Sequence, residues 1–333
     1  MNKLTLSQAF EGFLLDKQAS GRSLHTISSY RNSISKALTF FDSDPVVQSM
    51  RRQDWIRFFA WLQDEHVSVP GGVAPRPPCH LSPKSVANIH TDLSAFYTWA
   101  TSPGVELVGD HILRTIDRPR FERPLIETFT KAEIAALLKA CDDGRAVNLS
   151  GEHRVRSTRH RDRAIIHVLL STGVRASELC DMRVKDLDLN AKSIHVAGKG
   201  KGRDSKPRTV YFGRTASTAI WRYLSPYMKE LRPDDPLFPV DLRAVPRPMT
   251  RDVLRKLLAR IGERAGIEKV YPHRFRHTFA TEFLRNGGDV LKLKVLMGHS
   301  TLAMVERYAH VLASDAAKAH QGADPADNWR VQP

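Results

Sequence analysis

Six residues in the C-terminal two thirds of the chain have side chains suited to one reaction: Arg175, Lys199, His273, Arg276, His299 and Tyr308. Two arginines, two histidines and a lysine can surround a phosphate, and a phenol can attack it. The chemistry such a set would do is phosphoryl transfer to a protein nucleophile. Arg175 follows the Thr172-Gly173 pair that ends one helix, and a guanidinium beside the N–H groups of a new helix makes an anion site. Lys199 and Lys201 flank Gly200 in a basic turn, where one lysine could protonate a leaving oxygen as a general acid. His273 and Arg276 are three residues apart and share a helix face. His273 and His277 also have the spacing of a metal pair. A zinc site would want a glutamate after the first histidine, where Arg274 stands, and Arg276 adds a second opposing cation. No metal and no cofactor is therefore expected. Taken singly, each residue has an ordinary explanation: a solvated arginine, a hydrogen-bonded histidine at a helix start, a packing tyrosine. The combination is what points to chemistry.

The elements that must position these groups are mostly helical. Leu6, Phe10, Phe13 and Leu14 form one apolar stripe. Ile27, Tyr30, Ile34, Leu38 and Phe41 form a second, with Thr26 as the expected N-cap, and Trp55, Ile56, Phe59 and Leu62 form a third. Ser82-Pro83 opens a fourth helix that turns Val86, Ile89, Leu93, Phe96 and Ala100 inward. Four such helices can bury one another as a small bundle. The Pro/Gly-rich stretch 67–83 is expected to lack regular structure. Thr130 to Glu133 reads as a capping box that starts a second domain, and 142–160 reads as a polar loop. RDRAIIHVLLSTGVRASEL gives a buried helix, a turn and a new helix start. SIHVAG and RTVYF read as a hairpin with a basic, glycine-rich tip. Helical patterns then run from Thr215 through STAIWRYLSPYMKEL, TRDVLRKLLARIGERAG, HRFRHTFATEFLRNG, DVLKLKVLMG and TLAMVERYAHVLA.

Composition narrows the partners. The 333 residues allow two domains, and the hydrophobic (41%) and charged (26%) fractions are those of a globular protein. Lys and Arg number 51 against 36 Asp and Glu, leaving +15, which favours a nucleic-acid partner. The basic residues are spread along the chain, which argues against a membrane surface. Cys79, Cys141 and Cys180 form neither a disulfide framework nor a metal pair, so a cytoplasmic location is expected. No signal peptide or membrane span is visible.

Taken in order, Arg175, Lys199, His273 with Arg276, His299 and Tyr308 resemble the pattern of the tyrosine site-specific recombinases, the phage-integrase and Xer-type family. The segments TGVRASEL, HRFRHTFAT, LMGHS and ERYAH are similar to family boxes, and His299 and Tyr308 stand nine apart as in the family. Family position favours Lys199 over Lys201. SxxTxxSY at Ser23–Tyr30 is similar to the start of the family's DNA core-binding domain. The resemblance implies a mainly α fold with a small β-hairpin or sheet, in two domains. Residues 1–105 would be a helical, SAM-like core-binding domain, 106–129 a basic linker, 130–320 the catalytic domain and 321–333 a flexible tail. It implies that Tyr308 attacks a scissile phosphate to form a 3′-phosphotyrosyl link. Arg175 and Arg276 would hold the nonbridging oxygens, His273 would accept the phenol proton, Lys199 would protonate the leaving 5′ oxygen, and His299 would hold a phosphate oxygen. Exchange through a Holliday junction would serve integration, excision or resolution. The implied partners are double-stranded DNA with paired inverted half-sites and a tetramer of this chain, or with a related recombinase, on that DNA. Accessory DNA-bending proteins are a further partner class, and residues 311–320 are a candidate helix for docking on a neighbouring subunit. A type IB topoisomerase, a noncatalytic DNA-binding protein and a zinc hydrolase are the rival readings.

Overall fold

The structure, a computed structural model, describes residues 3–68, 77–122, 126–142, 145–147, 153–155, 158–198, 207–240, 246–298, 301 and 308. Lys199, Lys201, His299 and the 311–320 segment lie outside the described residues. The chain divides into two compact units, Met1–Pro124 and Leu125–Pro333.

The first unit holds four helices: α1 (Leu6–Ala19), α2 (Leu24–Phe41), α3 (Arg52–Asp64) and α4 (Pro83–Ala100). Each begins where the local chemistry supplies a cap. Thr5 and Gln8 form a capping box on α1, and Ser82 with Pro83 starts α4 as the sequence suggests. On α2 the cap is Ser23 and not Thr26: the Ser23 hydroxyl accepts the Thr26 N–H, so the helix begins earlier. The inward faces meet in an aromatic core of Phe10, Phe13, Trp55, Phe58, Phe96 and Tyr97. Within it the Trp55 indole N–H donates to the Tyr97 hydroxyl at 2.7 Å, which satisfies both buried polar groups. On α3 the buried face runs through Phe58, while Ile56 is exposed. The Pro/Gly-rich stretch is not wholly irregular: β1 (Val67–Ser68) pairs antiparallel with β2 (Cys79–His80) at its base. Residues 107–116, within the stretch expected to link domains, fold back on this unit. Leu113 is fully buried there, and Leu107, Val108, Ile112 and Ile116 pack around it.

In the second unit α5 (Lys131–Asp142) starts from the Thr130–Glu133 box, with both reciprocal bonds formed. The stretch read as a loop contains a short antiparallel ladder, β3 (Arg145–Val147) with β4 (His153–Val155). The buried helix α6 (Arg159–Thr172) is the centre of the unit and packs against α5 and two later helices, α8 (Arg214–Leu224) and α10 (Pro272–Arg285). Between α6 and α8 come α7 (Ala176–Asp181) and a three-stranded antiparallel sheet of β5 (Leu187–Asp188), β6 (Ser193–Val196) and β7 (Arg208–Tyr211). The expected hairpin is thus β6–β7 with an added edge strand. Its register, Ile194 opposite Val210, puts both side chains in the core. Two more helices, α9 (Arg251–Ala265) and α11 (Val290–Met297), complete the described unit. Among the described residues no helix is long and apolar enough to cross a membrane.

Candidate active site

Gly173 ends α6 with φ +60°, the left-handed region that glycine enters without strain. A Cβ there would come within 2.4 Å of the Phe279 ring, so α10 can pass this turn closely only because the residue is glycine. The close passage has a use. Arg276, on α10, donates from Nη1 to the Gly173 carbonyl and from Nη2 to the Met297 carbonyl, both at 2.7 Å. Its guanidinium is 2% exposed, and burial first, then the charge of Arg175, lowers it to about 10. It remains cationic at neutral pH.

Arg175 is the N-cap of α7. Its backbone N–H donates to Glu178 Oε2 at 2.7 Å, its Nη1 to Glu178 Oε1 at 2.9 Å, and its Nη2 to the Gly298 carbonyl at 3.1 Å. Arg208, at the start of β7, donates from Nη1 and Nη2 to the two oxygens of the same carboxylate, each at 2.9 Å. Its Nε reaches the Leu296 carbonyl at 2.8 Å. Three successive carbonyls at the end of α11 therefore each accept from a different arginine. These are the groups a helix leaves unpaired, at its negative end. Gly298 follows with φ +60°, and a Cβ on it would lie 3.0 Å from Arg208 Nη1. The buried Glu178 carboxyl is pulled two ways. Burial works to raise it, but the hydrogen bonds and charges of Arg208 and Arg175 prevail and hold it at about 2.

Pro272 at the first position of α10 puts His273, Arg276 and His277 on one face. The rings of His273 and His277 meet edge to face at 4.6 Å. His277 Nδ1 and the Tyr308 hydroxyl are 2.8 Å apart, and Tyr308 is 3% exposed. Among the described residues no group of three or more His, Cys, Asp or Glu is placed to hold a metal ion. A cleft of about 660 Å³ opens beside these groups, lined by Arg175 and His273 and by Arg251 and Arg255 of α9.

Of the six residues singled out in the sequence, Arg175, His273, Arg276 and Tyr308 are described. Arg175 and Arg276 are tied to adjacent carbonyls, and Tyr308 lies within hydrogen-bond distance of His277, the neighbour of Arg276 in sequence. Lys199 and His299 are outside the described residues. Sequence reasoning did not single out Glu178 and Arg208, and it weighed His277 only as a metal ligand. Glu178 carried a signal, since a glutamate three residues past an N-cap marks a capping box. Arg208 carried none beyond its place at the edge of a β-rich run.

The turn after α6 and the end of α11 hold Arg175 and Arg276 on neighbouring carbonyls, and α10 adds His273 and the His277–Tyr308 contact, a set of groups suited to chemistry on an anion. Residues 127–315 match the model of the phage integrase family. Tyrosine recombinase XerD of Pseudomonas putida is 31% identical over 81% of this chain and 88% of its own length. Tyrosine recombinase XerC of Staphylococcus carnosus is 28% identical over 91% of this chain and 92% of its own. In fold, the chain is similar to the XerH recombinase in a post-cleavage complex with palindromic difH substrate, with TM-score 0.66, 18% identity, and coverage of 97% of this chain and 85% of that one. It is also similar to a λ integrase dimer bound to a COC′ core site, with TM-score 0.64, 14% identity, and coverage of 90% and 97%. The chain belongs to the phage integrase family of tyrosine recombinases.

Proposed function

We propose that this protein is a site-specific DNA recombinase that breaks and rejoins strands through Tyr308. The phenol oxygen attacks a phosphodiester, a 3′-phosphotyrosyl bond forms, and the bond to the 5′ oxygen breaks. The hydroxyl released on a partner strand then attacks the phosphotyrosine and restores the phenol. One phosphodiester replaces another, so the exchange is close to balanced in energy. The transition state gathers negative charge on the nonbridging oxygens, where Arg175 and Arg276 can donate in pairs. His273 takes the phenol proton, Lys199 protonates the leaving 5′ oxygen, and His299 holds a phosphate oxygen. His277 Nδ1 lies 2.8 Å from the phenol oxygen and can orient it. Strand exchange needs four such sites, supplied by a tetramer on two duplexes with inverted half-sites, in the cytoplasm.

The observation that carries this reading is the anchoring of Arg175 and Arg276 to the Met297–Gly298 turn, with the Tyr308 phenol 2.8 Å from His277, the residue next to Arg276. A nicked suicide duplex carrying the target site tests it. Wild-type protein should become covalently attached to the 3′ end, and Tyr308→Phe protein should bind the same duplex without attachment. Absence of the adduct with wild type, or its persistence with phenylalanine, rejects the assignment.

A further inference from the structure

A second cationic feature lies away from the cleft. On α6, Arg159, Arg163 and His167 follow at four-residue steps; on α8, Arg214, Thr218 and Arg222 do the same. Each set shares one face of its helix, α6 and α8 pack together, and the two rows line one groove of about 580 Å³. None of these residues lines the cleft beside Arg175. His167 is six residues and Arg159 fourteen from Gly173, so the groove runs from about 9 to about 21 Å from the catalytic end of α6 at 1.5 Å per residue.

The charge in the groove is not balanced from within. Asp142 is the one carboxylate among its lining residues, and it is already paired with Arg163 at 2.6 Å. Arg159, Arg214 and Arg222 have no carboxylate partner among the described residues. The Arg159 Nε donates to His160 Nε2 at 3.2 Å, which makes that ring nitrogen an acceptor. Burial first, then Arg159, hold the His160 imidazole below its ordinary range; Arg163 and Arg222 add to this and Asp142 opposes it. Cations from both helices thus act on one ring. Concentrating guanidiniums in this way is unfavourable until an anion bridges them, and their N–H forks match phosphate oxygens.

We propose that the α6–α8 groove is a second phosphate-binding site, which holds the backbone of a DNA strand apart from the phosphate undergoing reaction. The proposal rests on the reading of this protein as a DNA recombinase. The ends of each row are eight residue steps apart, about 12 Å, which covers about three phosphates of one strand at about 3.4 Å of rise each. An acidic protein segment would have to present carboxylates at matching intervals, whereas a DNA strand presents its charges everywhere along its length.

The test is duplex binding across about 50 to 200 mM salt, comparing wild type with Arg159→Gln/Arg214→Gln/Arg222→Gln. About 0.9 is lost from the log–log slope for each phosphate contact removed, so the slope should flatten by about 2 to 3. Covalent capture on the nicked duplex at saturating protein should stay at the wild-type rate. An unchanged slope in a variant with wild-type melting temperature overturns the proposal. If the triple variant does not fold, Arg214→Gln/Arg222→Gln, at exposed positions of α8, should flatten the slope by about 2. Calorimetry with tripolyphosphate separates the sources. DNA should abolish its binding; tripolyphosphate that still binds at saturating DNA marks a site for a free polyanion and overturns the proposal. A flattened slope in a protein that forms no covalent adduct would reject the recombinase reading and leave the DNA contact standing.

Discussion

Arg276 holds two turns together, and in the proposed reaction it would also supply charge to the phosphate. Arg276→Lys keeps the charge but cannot span both the Gly173 and Met297 carbonyls. We expect a loss of about 10²–10³ in cleavage rate and, from the carbonyl left unpaired, about 1–3 kcal/mol in stability. Single-turnover cleavage and chemical denaturation measure the two separately. His273→Ala should slow cleavage by about 10²–10⁴ if it is the base, and a variant that cleaves at the wild-type rate would remove it from that role. Glu178 makes a pH prediction. Its carboxyl sits at about 2 in the fold against an ordinary 4.5. Because the folded value is depressed, its contribution is complete above about pH 4.5 and is lost as pH falls toward 2. The shift corresponds to roughly 3 kcal/mol. Melting temperatures from pH 5 down to about 2 should fall more steeply for wild type than for Glu178→Gln, and parallel curves would refute the assignment.

At the scale of elements, the end of α11 is the junction of the site. Its last carbonyls are claimed by Arg208 from β7, Arg276 from α10 and Arg175 from α7, so three elements converge on one helix terminus. The turn after α6 is the other fixed point. Gly173→Ala would put a side chain in the left-handed region and against the Phe279 ring. It should cost about 1–3 kcal/mol from backbone strain alone, and more from the clash, and should lower cleavage by displacing Arg276. Thermal unfolding alongside cleavage assays checks both. The helices themselves were legible because their stripes recur at the helical period and their caps are short-range signals: Thr130 with Glu133 and Ser82 with Pro83 both lie where the chain pattern puts them. The short strands were not. β1 and β2, or β3 and β4, are two or three residues each, too few to show an alternation, and they exist because a partner strand lies opposite. Ser23 displaced Thr26 as a cap because either hydroxyl suits the role and the choice depends on where the chain turns.

At the scale of the whole molecule, the net charge of +15 makes association with DNA strongly salt-dependent. For some 6–10 phosphate contacts, affinity should fall about 10³–10⁵-fold between about 50 and 200 mM salt. A nearly flat dependence in a fluorescence titration would show that the positive charge is not the source of affinity. If residues 311–320 dock on a neighbouring subunit, truncation after Val311 should reduce assembly of the tetramer while single-site binding persists. Sedimentation on a duplex carrying two half-sites tests that, and full assembly by the truncated chain would exclude the docking role.

The sequence by itself determined the helix stripes, the basic charge and the identities of the six candidate residues, because periodicity, composition and motif spacing are properties of the chain. It could not determine that Arg175 and Arg276, a hundred residues apart, anchor to neighbouring carbonyls, nor that Glu178 joins Arg175 to Arg208. It also could not pair Tyr308 with His277, or bring two basic rows on α6 and α8 to opposite walls of one groove. Those relations depend on which helix faces pack together and on where a buried guanidinium finds an acceptor, and both are settled only when the core closes.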